Sequence, residues 1–404
     1  MTTLGQRIKK LRKQKGFTLQ SLAGEELTKG MLSLIENDKA NPSMESLAYI
    51  AKRLGVDKNT LLEEVPPAEL RDLLQEVETV FKTGSVLSKE ELKKITTKIQ
   101  PYIQKLPDRY ESARLLEIYS RCSYHLHLSD WPKMLERAEE MYEGLHLSSK
   151  LADVHIFKAT TKFVEHQYLQ SLEMLQQSRK LLEERGIILD PLKKLDFDYL
   201  ESILYSAAGD TENAKRIMEE AIAYSREQQI FYKISELYRL AGFQAMLEGD
   251  VAAKDYYVHK LRLFAQFADD DSIDAFADLV EAHYHTSFTH EYEKAAEYIE
   301  KNIEAISEEQ SNFFLEKGKM LYGLGRYEEA FEWLNRHATP EHLHHPYDLS
   351  MNYEKDAYLA LLYDKLDKVE LARSHAESAK QHIAPMPDSP YKTFIMEVYG
   401  QLVK

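Results

Sequence analysis

Two groups of histidines invite a metal reading: His283, His285 and His290, then His337, His342, His344 and His345. Neither group has HExxH or Cys/His spacing, so they read as surface histidines and no metal site is expected. Cys122 is the only cysteine and sits in the apolar helical pattern YSRCSYHLHL without an identifiable base, which makes it a small packing residue rather than a nucleophile. The glycines of GKMLYGLG (318–325) lack both the spacing and the closing Lys-Ser/Thr of a phosphate loop. No catalytic constellation remains, and neither an enzyme nor a cofactor is expected. A different chemistry opens the chain: Arg7, Lys9, Lys10, Arg12, Lys13 and Lys15 occur within fifteen residues that contain no acid, the footprint a phosphate backbone attracts.

The elements that would position these charges are short helices. Leu4, Ile8 and Leu11 recur on one side of a first helix whose other side holds Arg7, Lys10 and Lys13, and Gly16 ends it. Thr18 is the N-cap of a second helix that turns Leu22 and Ala23 inward, Gly24 to Leu27 form a break, and Thr28 caps a third helix over about Lys29 to Asn37. In that third helix Leu32 and Ile35 face inward, while Lys29, Gly30, Ser33, Leu34 and Asn37 face outward or toward its N-terminus. Asn41-Pro42-Ser43 stops the chain and caps a fourth helix carrying Leu47, Ile50, Ala51 and Leu54, closed by Gly55. Leu61 and Leu62 suit a short fifth.

LGQRIKKLRKQKGFTLQSLA followed by TKGMLSLIENDKANPSMESLAYIAKRLGV resembles the Xre/Cro-type helix-turn-helix of phage and bacterial repressors, over about residues 4–64. The resemblance implies that the third helix enters the major groove of double-stranded operator DNA, with Glu36 structural and Ser33 near bases or phosphates. The DNA-contacting residues expected from it are Thr18, Gln20, Thr28, Lys29, Gly30, Met31, Ser33, Leu34, Asn37 and Lys39. Two departures stand out: the turn between Ala23 and Glu36 is one residue short of the commonest form, and Leu19 replaces a frequent phosphate-contacting Gln.

Pro66-Pro67 ends the first domain. Residues 68–82 and 88–104 have helical apolar spacing, with Gly84 breaking between them and Ser88 capping the second. Beyond, the chain repeats itself. The turns SDWPKM, HQYLQS, GDTENA, GDVAAK, HEYEKA, GRYEEA and DKVELA align Met134, Ser171, Ala214, Lys254, Ala295, Ala330 and Ala372 at spacings of 37, 43, 40, 41, 35 and 42. Each aligned residue is followed four positions on by an apolar one: Ala138, Leu175, Met218, Val258, Ile299, Leu334 and Ala376. The pattern resembles the tetratricopeptide repeat with elements longer than its ~34-residue standard. The expected fold class is all-α: a five-helix head, then a right-handed superhelix of about seven repeats. The expected domains are 1–65 for DNA binding, 66–110 as a helical connector that helps dimerise, and 111–404 for sensing.

Such a stack has a concave face lined by the first helix of each repeat. The inward positions are Asp153, Phe157, Tyr199, Glu236, Arg239, Phe243, Glu281, Tyr284, Asn312, Glu316, Lys319, Tyr322 and Tyr358. Amides, charges and aromatic walls together suit an extended peptide. The peptide-binding residues expected from this list are Tyr199, Glu236, Arg239, Phe243, Glu281, Tyr284, Asn312, Glu316, Lys319 and Tyr358.

The combination of such a head, connector and array resembles the peptide-pheromone-responsive regulators of Gram-positive bacteria, the RRNPP group. It implies a homodimer or higher oligomer that binds a short signalling peptide and thereby alters DNA binding, as in quorum sensing. Related members of that group instead bind a response-regulator protein and block or reverse its phosphorylation, an alternative the acidic array permits. Charge is divided accordingly. Of 404 residues with a net charge of −15, residues 1–65 hold 11 Lys/Arg against 8 Asp/Glu, leaving −18 for the remainder. With one cysteine, no charged leader before an apolar run and no uninterrupted apolar stretch of ~18 residues, a cytoplasmic protein without membrane contact is expected.

Overall fold

A computed structural model describes residues 3–62, 65–82, 87–304 and 312–403. Gly84, expected to break the connector, lies outside the described residues. The described residues contain helices and no strand: α1 Leu4–Gln14, α2 Leu19–Ala23, α3 Lys29–Glu36, α4 Met44–Leu54, α5 Lys58–Leu62, α6 Pro67–Val80, α7 Lys89–Ile99, α8 Tyr110–His125, α9 Trp131–Gly144, α10 Ser148–Val164 and α11 Tyr168–Glu184. There follow α12 Pro191–Ala207, α13 Thr211–Glu227, α14 Ile234–Glu248, α15 Val251–Ala268, α16 Asp271–Tyr284, α17 Tyr292–Asn302, α18 Asn312–Gly323, α19 Tyr327–Arg336, α20 Pro346–Lys365, α21 Val369–Ile383 and α22 Pro390–Leu402. None is long and apolar enough to cross a membrane.

The local signals act where the sequence puts them. Thr18, Thr28 and Ser43 accept backbone N–H groups of the helices they start, and Gly55 ends α4 at a left-handed φ of 60°. Ser88 and Glu91 close a reciprocal capping box at the start of α7. The core of the head is Ile8, Leu22, Ala23, Leu32, Ile35, Leu47, Ile50, Ala51, Leu54 and Leu61. At Gly5 an added Cβ would lie 2.0 Å from the Ile35 carbonyl, so only glycine lets α1 approach α3 this closely.

The seven aligned turns each precede the start of a helix, α9, α11, α13, α15, α17, α19 or α21, and six of these helices pack on the one before: α8/α9, α12/α13, α14/α15, α16/α17, α18/α19 and α20/α21. Ser171, Ala214, Lys254, Ala295, Ala330 and Ala372 are buried there, as are all seven residues four positions on. The chain is thus an all-α protein with a five-helix head followed by helical repeats. It divides into two compact units, Met1–Val154 and His155–Lys404.

Within the second unit α14 packs on α16, α16 on α18, and α18 on α20. The last helix, α22, to which the repeat alignment assigns nothing, packs on α20 and α21. At the other end of the same unit the Tyr168 hydroxyl donates to the His344 carbonyl at 2.9 Å, tying the start of α11 to the segment before α20.

Candidate nucleic-acid interface and ligand groove

In the head, α3 turns Leu32 and Ile35 into the core, which leaves Lys29, Gly30, Met31, Leu34 and Asn37 exposed, with Lys39 just beyond the helix. Met31 and Leu34 are 46% and 44% exposed, which suits contact with thymine methyl groups. Ser33 is half-buried. Thr28 Oγ accepts the Met31 N–H at 3.1 Å, so its first role is to cap α3. Asn37 donates to the Ser33 carbonyl at 2.8 Å and accepts from Lys9 at 3.1 Å. On α2, Gln20 is exposed, and the Thr18 side chain is engaged in a capping box with Ser21.

The basic run at the N-terminus is not one solvated face. Arg12 makes a two-pronged ion pair with Glu36, at 2.6 and 2.9 Å, and donates to the Phe17 carbonyl at 2.8 Å. Arg7 is likewise buried and donates to the Leu61 and Leu62 carbonyls. Lys10, Lys13 and Lys15 remain exposed. Counting charges along the chain missed this because a guanidinium can satisfy several carbonyls or a carboxylate from inside a small domain, whereas an ammonium there rarely can. Glu36 has the structural role the resemblance implied.

The histidines also depart from expectation. His283, His285, His337 and His345 are buried, not on the surface. His283 lies on α16 and His285 just after it, His337 closes α19, and His345 caps the start of α20. The described residues include no cluster of three or more His, Cys, Asp or Glu able to hold a metal ion. Cys122 is fully buried, and burial pushes its thiol up to about 12, in keeping with a packing role.

The peptide-binding candidates of the second unit fall into two sets. Tyr199, Glu236, Arg239, Phe243, Glu281, Tyr284 and Asn312 are half-buried on α12, α14, α16 and the start of α18. Arg239 lies 4.3 Å from the centre of the Phe276 ring, and its Nε is buried with no hydrogen-bond partner. Asn312 Oδ1 is in the same condition. Glu281 accepts from Lys254 at 2.7 Å, and Lys254 also lies 4.4 Å from the Tyr284 ring centre. Glu236 is held below the usual carboxylate range: burial opposes this, but Ser235, its own backbone N–H and Lys233 outweigh it. Burial pushes the Tyr199 hydroxyl up to about 12. Of the three other positions read as inward, Phe157 is buried, and Asp153 and Tyr322 are half-buried.

Glu316, Lys319 and Tyr358 are buried among one another's neighbours. Lys319 donates to Glu354 at 2.7 Å, to Ser287 at 2.5 Å and to Glu316 at 3.3 Å. Glu316 bonds His283 Nδ1 at 2.9 Å and accepts from Thr286. His283 Nε2 meets the Tyr391 hydroxyl of α22 at 2.8 Å, and Phe394 of α22 packs 5.0 Å from Tyr358. Burial alone would raise the Glu316 carboxyl, yet Lys319 and His283 hold it down to about 2. A π-helical turn over His285–Thr289 supplies Thr286 and Ser287, the kind of helix irregularity that re-aims side chains. No period of 3.6 announces such a turn, and no repeat pattern announced α22 as the cover.

The helix-turn-helix domain family matches residues 5–65. The HTH-type transcriptional regulator SinR of Bacillus subtilis strain 168 is 44% identical over 63 residues, 15% of this chain and 57% of that protein. The chain therefore spans less than two thirds of the length of the curated relatives it matches. Among solved structures, PlcR of Bacillus thuringiensis in complex with the peptide PapR7 and DNA is 18% identical with a TM-score of 0.35, covering 69% of this chain and 99% of that one. The competence regulator ComR of Streptococcus vestibularis, in complex with its signalling peptide XIP, is 20% identical with a TM-score of 0.41, covering 70% and 98%.

Proposed function

We propose, from the premise that residues 5–65 are a helix-turn-helix domain, that this protein is a DNA-binding transcriptional regulator controlled by a short peptide held along the inner helices of its repeats. The observation that carries the peptide half is two buried polar atoms without partners on inner helices, Arg239 Nε on α14 and Asn312 Oδ1 at the start of α18; Tyr199, Phe243 and Tyr284 are half-buried aromatics of the same set of helices. Buried polar atoms are nearly always satisfied in a finished core, so unpaired ones on the inner helices fit a ligand whose backbone amides complete the bonding.

The DNA half rests on the exposed side of α3. Lys29 and Lys39 offer charge to phosphates, and Gly30, Met31 and Leu34 offer a close, partly apolar surface to base edges. Peptide binding across several first helices favours one arrangement of the stack over others, and control follows from that population shift. A homodimer is the form in which two heads read a two-fold operator.

The test is binding of the full-length protein to a genomic fragment library at two salt concentrations, with and without a pooled extract of short secreted peptides, against a deletion lacking residues 1–65. Selective binding that needs the head and changes with the extract is expected. Selective binding unaffected by any peptide would remove the control, and none at all would remove the regulator.

A further inference from the structure

We propose that Asp348 and Asn352, one turn apart on α20, form an acceptor-only recess that takes a cationic group, an ammonium or guanidinium, of the ligand bound in the 155–404 unit. The proposal rests on the peptide reading above and adds the charge of the ligand to it.

The first observation is a comparison among carboxylates. On the first helices α12, α14, α16, α18 and α20, the buried and half-buried acids are compensated. Asp198 pairs with Arg179 and Lys194, Glu281 with Lys254, Asp278 with Arg262 and Lys301, Glu316 and Glu354 with Lys319, and Asp356 with His375. Asp348 is the exception: its carboxylate is half-buried, and no hydrogen bond or ion pair reaches it among the described residues. Burial by itself pushes this carboxyl up to about 6, and the negative charge it carries at neutral pH is one that a bound cation would relieve.

The second observation is independent of charge. Asn352 is 2% exposed, its Nδ2 donates to the Asp348 carbonyl at 2.8 Å, and that bond leaves Oδ1 buried with no partner. Among the described residues no donor reaches Asn352 Oδ1. One turn before, burial lowers His345 to about 4, so it stays neutral, and its Nδ1 accepts the Tyr347 N–H. The groups that sense the Asp348 charge across the unit are the hydroxyls of Tyr199 on α12 and Tyr391 on α22, neither a cation. A carboxylate and an amide oxygen at i and i+4 on one helix face, both lacking donors, complement a group with several N–H donors and a positive charge.

In a peptide that group is the terminal α-ammonium or a Lys/Arg side chain. The probe is a set of four synthetic heptapeptide pools, N-acetylated or free and with or without Lys/Arg, passed over immobilised full-length protein and read by mass spectrometry. Wild type is expected to retain cation-bearing pools about tenfold or more over the acetylated, Lys/Arg-free pool, and Asp348→Asn to lose that preference. The acetylated and the Lys/Arg-free arms distinguish the two sources of charge. Asp348→Asn removes a half-buried unpaired charge and keeps the shape, so its melting temperature confirms folding.

Equal retention of the neutral pool by wild type, or an undiminished preference in Asp348→Asn, would overturn the proposal and leave the peptide reading standing. Retention of no pool would overturn both.

Discussion

Lys319 on α18 and Glu354 on α20 are joined at 2.7 Å with the lysine fully buried and the glutamate 3% exposed, so an ion pair ties two inner helices where an apolar contact is the usual bond. The lysine also faces Glu316, and burial, which would lower its affinity for a proton, is outweighed by these two carboxylates. Its removal leaves two buried negative charges uncompensated. Lys319→Met is expected to cost about 3–5 kcal/mol in chemical denaturation, far more than a surface pair.

The same cluster sets an acid limit. Glu316 is depressed in the folded state, so it contributes stability above its ordinary value near 4.5 that is lost as pH falls toward about 2. Melting temperature measured from pH 6 to pH 2.5 is expected to fall in wild type and to fall less in Glu316→Gln, which starts lower. Parallel curves would show that Glu316 does not titrate in this window.

Asp348 has the opposite sign. Its folded value, about 6, lies above the ordinary 3.8, so it costs nothing when both states are protonated and costs most above pH 6. Asp348→Asn is expected to raise stability by about 1–3 kcal/mol at pH 7.5, with the gain vanishing near pH 4. Thermal melts at the two pH values check it.

In the head, Gly5→Ala pushes a methyl group toward the Ile35 carbonyl and must separate α1 from α3. A loss of about 1–3 kcal/mol is expected, together with weaker DNA binding, since α3 then shifts on its support. Circular dichroism melts and binding to a selected operator fragment measure the two effects.

Lys29→Ala and Leu34→Ala separate the two kinds of contact that α3 offers. Loss of the lysine is expected to weaken binding to all sequences alike and to lower the salt slope by about 1. Loss of the leucine is expected to leave the slope unchanged and relax sequence preference at one position. Titrations of two fragments at three salt concentrations distinguish them.

Periodicity and capping by themselves determined the elements of this protein. Thr18, Thr28, Ser43 and Gly55 mark helix ends through bonds that close within three or four residues, and the turns at Met134 through Ala372 recur with a small residue, Ala or Ser, at the aligned place in five of seven. The exposed side of α3 was legible for the same reason, since its inner side is set by Leu32 and Ile35. Which polar residues face solvent, and which face one another, only the tertiary structure decided. Arg7 and Arg12 turn into the head, Glu316 and Lys319 are closed over by α22, and Asp348 is left without a partner. The pairings depend on groups 24 to 108 positions away meeting in a low-dielectric interior, where a charge without its complement is costly.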